Sequence, residues 1–144
     1  GYGEHLLWQA ENNKDKLYIG AEPFVSGVIS LIKKIHEKQI KNIKISSNNA
    51  INILDNLADD CLSSVYILFP DPWPKKRHHK RRIINPDNID KLHRVLKNDG
   101  KILIASDDKG YIYSILFNFL RDHRFSWICE KSSDFTKKPY LSTQ

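Results

Sequence analysis

The sequence predicts an α/β domain with a mostly parallel sheet. Short apolar runs alternate with amphipathic stretches along the 144 residues, a pattern typical of strands joined by helices. Residues 65–69 are continuously apolar, as expected for a strand that is buried on both faces. The glycines of Gly1-Tyr2-Gly3 stand directly before a predicted helix. We therefore expect one domain over residues 1–144.

Helices and strands are predicted in chain order from apolar spacing and from residues typical of element ends. The predicted helices cover residues 4–12, 23–39, 51–57, 86–97 and 110–123. Asn85 is the expected N-cap of the fourth helix, with Pro86 at its first position and Asp99-Gly100 beyond its end. The last helix should carry on one face Ile112, Ile115, Leu116, Phe119 and Leu120. The predicted strands cover residues 17–21, 43–46, 65–69, 101–105 and 126–130, and residues 70–82 are predicted to form a loop.

Positive charge is concentrated in residues 75–82, which we call the basic segment. The formal net charge of the chain is +6, and six cations of this segment account for all of it: Lys75, Lys76, Arg77, Lys80, Arg81 and Arg82. Charge this local indicates a polyanionic partner that is met at one place. A basic run by itself is equally typical of a solvated surface or of a localisation signal.

The residues before the basic segment favour a nucleic-acid site over those two alternatives. Asp71 follows a predicted strand and stands between two prolines, which restrict the backbone and hold the carboxylate in place. Trp73 offers a flat face on which a base can stack. The cations that follow suit phosphates. Together they predict a nucleobase pocket next to a clamp for the phosphate backbone.

Four further residues are candidates for binding a nucleotide-like cofactor. Gly1 and Gly3 allow a close backbone approach, although any tight turn would use them too. Glu22 follows the predicted strand 17–21 and could accept hydrogen bonds from ribose hydroxyls, or it could be an ordinary surface residue. Asn49 follows the next strand and could face an adenine amino group, or it could cap the helix 51–57.

The sequence does not predict a membrane helix, a secretion signal, a metal site or a disulfide. No window approaches the roughly 20 apolar residues of a membrane helix, and no secretion signal opens the chain. His78 and His79 are adjacent, so they are poorly placed to share a metal ion, and no metal site is expected. Cys61 and Cys129 lie far apart, which favours unpaired thiols in a reducing cytoplasm over a disulfide.

With these motifs the chain resembles the bacterial tRNA (guanine-N7)-methyltransferase family. The resemblance rests on Gly1-Tyr2-Gly3-Glu4-His5-Leu6, on Gly20-Ala21-Glu22-Pro23, and above all on the stretch F-P-D-P-W-P-K-K-R-H-H-K-R-R at residues 69–82. It implies a Rossmann-like methyltransferase fold, S-adenosylmethionine as cofactor, and a guanine of the tRNA variable loop as substrate. The family's first strand would then precede Gly1, and its Thr-x-aromatic-Glu motif would follow Gln144.

The resemblance also implies a role for each motif residue. Glu22 corresponds to the ribose-binding acid, Asp71 to an acid shared by the cofactor and catalytic sites, and Asn49 stands where the family usually has Asp. Lys75 and Asp107 correspond to substrate-binding residues. The RNA contacts would come from Trp73, as inferred above, and from the family's RNA-contacting stretch, Arg77, His78, His79, Lys80, Arg81 and Arg82.

Two alternatives to this enzyme stay open. One is a non-catalytic RNA-binding protein derived from such an enzyme, since the family's first strand and C-terminal motif do not occur within the chain. The other is a different Rossmann enzyme that uses a nicotinamide cofactor, in which Asp71, Trp73 and the basic segment would have no role.

Overall fold

The computed structural model describes residues 2–131 and divides them between two compact units. The first unit runs to Ile53 and includes the stretch from Cys129, and the second covers Leu54–Ile128. The helices are α1 (Glu4–Asn12), α2 (Val25–Glu37), α3 (Ala50–Asn56), α4 (Pro86–Val95) and α5 (Lys109–Leu120). The strands are β1 (Tyr18–Ala21), β2 (Ile43–Ser46), β3 (Leu62–Leu68) and β4 (Leu96–Ala105), and a 3-10 helix covers Lys76–Arg81. The prediction of one domain over residues 1–144 extends beyond the described residues and stays a prediction.

The first unit is built on the parallel pair of β1 and β2, in which Tyr18 pairs with Ile43 and Ala21 with Ser46. Helix α1 packs closely on β1, because a Cβ added to Gly20 would lie 2.6 Å from Leu6 Cδ2. Leu7 and Ala10 of α1 and Leu31 of α2 are the buried apolar residues of these two helices. The unit therefore has the strand–helix–strand organisation predicted from the sequence.

Polar contacts fix α1 to its neighbours in the first unit. Lys34 on α2 forms a 3.1 Å ion pair with Glu4, and Lys38 forms one of 2.6 Å with Glu11. The Asn42 amide donates to three backbone carbonyls after or near the end of α1, those of Ala10, Asn13 and Lys16. Because helix ends leave carbonyls without helical partners, one side chain before β2 satisfies several groups at once.

The second unit is built on the parallel pair of β3 and β4. Ser64 pairs with Lys101 and Leu68 with Ala105, whereas Leu62 pairs with Leu96, so the register shifts between Leu62 and Ser64. The shift places residues 97–100 in a bulge of β4. The Asp99-Gly100 turn signal lies in this bulge, where a Cβ added to Gly100 would be 2.8 Å from the Lys97 carbonyl oxygen.

Buried side chains of α4, α5 and the segment before α4 form the core of the second unit. Those with the least exposure are Tyr111, Ile84, Leu92 and Val95. The Asn85 side chain accepts from the Asn88 backbone N–H at 3.0 Å, so it caps α4 as predicted, with Pro86 inside the first turn. Asp108 caps α5 in the same way by accepting from the Tyr111 N–H at 2.7 Å.

Arg94 of α4 holds the C-terminal end of α3. Its guanidinium donates to the carbonyls of Leu54 at 2.6 Å and Leu57 at 2.8 Å, and it also contacts Asp59 at 2.6 Å. These carbonyls lie where α3 has no further turn to satisfy them, so Arg94 takes the place of helical N–H groups.

The predicted α/β class with parallel strands is confirmed, and the bounds predicted for α1 and β2 are those observed. Within residues 2–131 the strands form two separate parallel pairs. None of the helices in this range has the length and apolar character needed to cross a bilayer.

Several predicted elements differ from those observed: β3 begins at Leu62 rather than residue 65, β4 begins at Leu96 rather than residue 101, and α5 ends at Leu120 rather than residue 123. Helix α4 ends at Val95 and not near residue 97, because Leu96 is already extended and pairs with Leu62. Residues 70–82 do not form a loop throughout, because residues 76–81 form a 3-10 helix. Residues 126–130 form no strand, since no strand in the described part of the chain pairs with them.

Burial along β3 and α5 differs from what the apolar patterns indicate. The run 65–69 is not buried on both faces, because Tyr66 and Phe69 are exposed while Ile67 is buried. On α5 the buried positions are Tyr111 and Ile115, and Leu120 is 64% exposed. Tyr111 replaces Ile112 on the inner face because its ring packs under the segment that precedes α4.

Candidate functional site

The glycine before α1 has a backbone conformation that favours glycine. Gly3 has φ = 71°, in the left-handed region, and its carbonyl accepts the first helical hydrogen bond from Leu7 at 2.9 Å. A Cβ at this position would lie 2.7 Å from the Leu31 side chain, so the close packing of α1 on α2 also requires glycine. Gly1 lies outside the described residues. The cofactor role of Gly1 and Gly3 stays a prediction.

Glu22 and Asn49 follow the ends of the two parallel strands of the first unit. The Glu22 N–H donates to the Ser46 carbonyl at 3.1 Å, which continues the β1–β2 pairing and sets Glu22 at the carboxyl edge of the pair. Its Oε1 accepts from the Phe24 N–H at 2.9 Å, so the carboxylate is held close to the turn into α2. The carboxyl edge of parallel strands is the usual position of nucleotide ligands.

Asn49 is the N-cap of α3. Its Oδ1 accepts from the Ile51 N–H at 3.0 Å, which is the contact expected of a capping residue. The alternative that Asn49 caps this helix is therefore present in the structure. An amide oxygen has two lone pairs, so contact with an adenine amino group stays a prediction beside the cap.

Asp71 lies in a constrained loop at the carboxyl edge of β3. Phe69 and Trp73, which flank it, have φ angles of 51° and 43°. A left-handed backbone costs a non-glycine residue about 1–2 kcal/mol, so surrounding contacts have to stabilise the loop. The Phe69 N–H donates to the Ala105 carbonyl at 2.8 Å and holds one end. Asp71 itself is exposed, and no hydrogen bond or ion pair joins its carboxylate to any residue in the range 2–131.

The basic segment folds back on Trp73. The 3-10 helix begins with a 2.8 Å hydrogen bond from the His78 N–H to the Lys75 carbonyl. The Arg81 guanidinium lies 5.0 Å from the centre of the Trp73 ring, and the His78 ring meets the same indole edge-on at 5.8 Å. The His79 imidazole lies 3.3 Å from the Pro74 carbonyl oxygen. Base stacking by Trp73 stays a prediction, with Arg81 already over the ring.

The cations of the basic segment differ in exposure. Five of them are exposed: Lys75, Lys76, Arg77, Lys80 and Arg81. Arg82 is only 7% exposed, and its Nε donates to the Pro72 carbonyl at 2.7 Å. Its guanidinium lies 4.8 Å from the centre of the buried Tyr111 ring. RNA contact stays a prediction for the exposed cations and for both histidines, and Arg82 points inward in this structure.

Asp107 lies at the same edge of the second unit as Asp71. Leu68 and Ala105 are paired at the ends of the parallel strands β3 and β4, so the loops that carry the two aspartates leave from one edge. The Asp108 N–H donates to Ser106 Oγ at 3.2 Å, and the Asp108 side chain caps α5. Asp107 is thereby left exposed between two fixed residues. Two carboxylates and a row of cations thus share one edge of this unit.

Two residues that shape this edge, Tyr111 and Asp108, were not predicted from the sequence. Burial raises the pKa of the Tyr111 phenol, while its hydrogen bond from the Ile84 N–H and the charge of Arg82 act in the opposite direction. The spacing of Asp108 and Tyr111 is that of an N-cap and the third residue of a helix, which is visible in the sequence. No cluster of His, Cys, Asp and Glu that could hold a metal ion occurs among residues 2–131.

Chemically, the edge of the second unit is suited to a substrate that is cationic at one point and anionic elsewhere. Exposed carboxylates stabilise positive charge, and the exposed cations of the basic segment stabilise phosphates. The edge of the first unit offers an acid and an amide suited to hydroxyl and amino groups.

The comparisons with known proteins agree on one family of methyltransferases. The family described as "Putative methyltransferase" matches residues 1–143. The tRNA (guanine-N(7)-)-methyltransferase of Zymomonas mobilis is 39% identical over 139 residues, which are 96% of this chain and 60% of the relative. The enzymes of the same name from Caulobacter vibrioides and Hyphomonas neptunium are 42% and 35% identical, over 90% and 96% of this chain and 58% and 64% of the relatives. The chain thus spans about three fifths of the length of these curated relatives.

Proposed function

Since the chain belongs to this methyltransferase family, we propose that it transfers a methyl group from S-adenosylmethionine to N7 of a guanine in the variable loop of tRNA. The observation that carries the proposal is the edge of the second unit. There the exposed carboxylate of Asp71 stands in a constrained loop directly before the five exposed cations of the basic segment. A site for a base next to a site for phosphates is what a nucleic-acid-modifying enzyme requires.

The residues of the first unit fit the cofactor by their chemistry. The carboxylate of Glu22 suits ribose hydroxyls, the amide oxygen of Asn49 suits an adenine amino group, and the left-handed Gly3 permits close backbone approach. When bound, S-adenosylmethionine supplies an electrophilic methyl group on a sulfonium. We also propose that Asp71 contacts the cofactor.

The methylation reaction requires little proton transfer by the protein. Guanine N7 has a lone pair and no proton, so it can attack the methyl group without a general base. As the bond from N7 to the methyl group forms, the sulfur–methyl bond would break, the cofactor would leave as a neutral thioether, and the positive charge would pass to the purine. A fixed carboxylate beside it would stabilise that charge, and one such pre-organised group can contribute about 3–4 kcal/mol. Asp71 has this role in the proposal, and the second role open to it is to hold the reacting groups at the right distance.

Lys75 and Asp107 would hold the base and its neighbours, and the exposed cations with His78 and His79 would hold the phosphates. A tRNA substrate would place the reaction in the bacterial cytoplasm, where Cys61 and Cys129 would stay reduced. Both cysteines are unpaired in this structure.

Two measurements on this chain test the proposal. Calorimetry with S-adenosylmethionine measures cofactor binding, and incubation with labelled cofactor and unmodified tRNA measures transfer of the methyl group to guanine N7. A tRNA in which the variable-loop guanine is replaced by adenine is the matched control substrate. Binding of tRNA without any binding of cofactor would support the non-catalytic RNA-binding alternative, and absence of both would remove the proposal.

A further inference from the structure

We propose that Arg82 is a positioning residue that fixes the Asp71 loop against α5, and that it does not contact RNA phosphates. This role deepens the proposed function and rests on it for its catalytic consequence. The geometric part concerns the second unit alone and can be tested without tRNA.

The environment of Arg82 differs from that of every other cation in the basic segment. Its side chain is among the buried polar groups of the protein, with 7% exposure, whereas the other five cations are exposed. A guanidinium taken out of water needs both hydrogen-bond acceptors and a favourable electrostatic surface. Arg82 has the Pro72 carbonyl at 2.7 Å and the face of Tyr111 at 4.8 Å. With its Nε–H bound to Pro72 and only 7% of the residue exposed, Arg82 is poorly placed to reach a phosphate.

The composition of the Asp71 loop explains why it needs such a partner. Pro70, Pro72 and Pro74 lack backbone N–H groups, so this loop has few donors with which to form internal hydrogen bonds. Phe69 and Trp73 also hold left-handed φ angles, which persist only where neighbouring contacts enforce them. The bond from Arg82 to Pro72 reaches the residue next to Asp71. It therefore limits where the carboxylate can move.

Tyr111 gives Arg82 a fixed support. The ring is fully buried, its Oη accepts from the Ile84 N–H at 3.2 Å, and its own N–H is bound by Asp108 at 2.7 Å. Asp108 follows Asp107 directly. The chain of contacts Pro72–Arg82–Tyr111–Asp108 therefore links the loop of Asp71 to the loop of Asp107, and the spacing of the two carboxylates depends on it.

The test uses 15N NMR on the protein and on Arg82→Gln and Arg82→Lys, with Lys80→Gln as a control that removes an exposed cation from the same helix. In the parent protein the Nε–H of Arg82 should exchange with water more slowly than that of the exposed Arg81. In both Arg82 variants the amide order parameters of Asp71 and Trp73 should fall from about 0.85 to below about 0.6. Lys is expected to fail because its ammonium lacks the planar guanidinium that stacks on Tyr111. Lys80→Gln should leave both order parameters unchanged.

Binding and turnover provide the second measurement. Lys80→Gln should flatten the plot of log tRNA affinity against log salt by about 0.7–0.9 units, and Arg82→Gln should leave that slope unchanged. Arg82→Gln should lower kcat at least tenfold with KM for tRNA within twofold of the parent. It should have no further effect on kcat when Asp71 is already Asn.

Rapid Nε–H exchange of Arg82 in the parent, or a salt slope reduced equally by Arg82→Gln and Lys80→Gln, would overturn the proposal. The exchange comparison needs no variant, so it decides the question even if Arg82→Gln fails to fold. If the parent chain neither binds nor methylates tRNA, the proposed function fails, while the exchange rates and order parameters still decide whether Arg82 positions the loop.

Discussion

At position 71 a carboxylate is exposed beyond the end of β3, and its loop is held by contacts on both sides. We expect Asp71→Ala to abolish methyl transfer while tRNA affinity stays within a few-fold, because phosphate contacts come from other residues. Asp71→Asn keeps the shape and removes the charge. If electrostatic stabilisation dominates, kcat should fall by about 10²–10³, the usual effect of removing one pre-organised group. Single-turnover kinetics with labelled cofactor measure this.

A matched control for Asp71 is Asp99→Asn in the bulge of β4. It removes an exposed carboxylate of the same unit away from the carboxyl edge. Near-normal turnover of Asp71→Asn would show that the charge is not used, and near-normal turnover of Asp71→Ala would show that the side chain is not used at all.

The second prediction for a single residue concerns the contribution of Glu22 to cofactor affinity. Glu22→Ala should weaken binding of S-adenosylmethionine by about 1.5–3 kcal/mol, the range for hydrogen bonds to a charged group. Glu22→Gln should lose less, because it retains one acceptor oxygen. Calorimetry measures both, with Glu37→Ala at the exposed end of α2 as control. An unchanged dissociation constant in Glu22→Ala would rule out the ribose contact.

At the scale of the elements, Arg94 tests what holds α3 against α4. Its ion pair with Asp59 is exposed, and such pairs contribute about 0–1 kcal/mol. Its bonds to the carbonyls of Leu54 and Leu57 replace helical partners, so their loss should matter more. We expect Arg94→Lys to lower the free energy of unfolding by about 1–2 kcal/mol. Asp59→Asn should lower it by less than about 0.5 kcal/mol. Urea unfolding measures the loss of stability in both variants. Equal losses would contradict the larger contribution that we assign to the carbonyl contacts.

Elements specified by neighbouring residues could be predicted from the sequence, and those that depend on distant partners could not. Helix α1 and the Asn85-Pro86 start of α4 follow from signals a few residues long. The early start of β4 depends on the pairing of Leu96 with Leu62, which is 34 positions away and leaves no local trace. The 3-10 helix was not predicted because three prolines and a run of basic residues between 70 and 82 favour a loop, although Lys and Arg also favour helical turns.

At the scale of the whole molecule, the excess of positive charge belongs to one segment. Replacing Lys75, Lys76 and Lys80 by Gln should flatten the dependence of log tRNA affinity on log salt by about 2–3 units, since each phosphate contact contributes about 0.7–0.9. The matched control replaces Lys14, Lys16 and Lys41, which changes the net charge equally outside the segment. Binding isotherms at several salt concentrations should show little change of slope in the control. Equal slopes for the two triple variants would mean that only total charge matters.

In the candidate site, too, the features that depend on distant residues could not be predicted from the sequence. Asp71 could be placed at the end of a strand from the sequence, whereas Asp107 was identified only through the family resemblance, and their common edge is visible only in the structure. Which of six adjacent cations turns inward could not be read from the basic segment, since the answer depends on Tyr111, 29 positions after Arg82. The prolines around Asp71 predicted a constrained loop, but not the donor that constrains it.

The bulge of β4 gives the second unit a place where chain length can change without consequence for the site. Residues 97–99 are exposed, and the regular register resumes only at Lys101. One residue inserted between Asn98 and Asp99 should therefore be absorbed in the bulge, since lengthening an exposed loop costs little closure entropy. An insertion between Ile102 and Leu103 should instead reverse the faces of the remaining strand. Tolerance to insertion measured along β4, by yield of folded protein, should thus change abruptly at Lys101, and the bulge offers a position for a spectroscopic reporter.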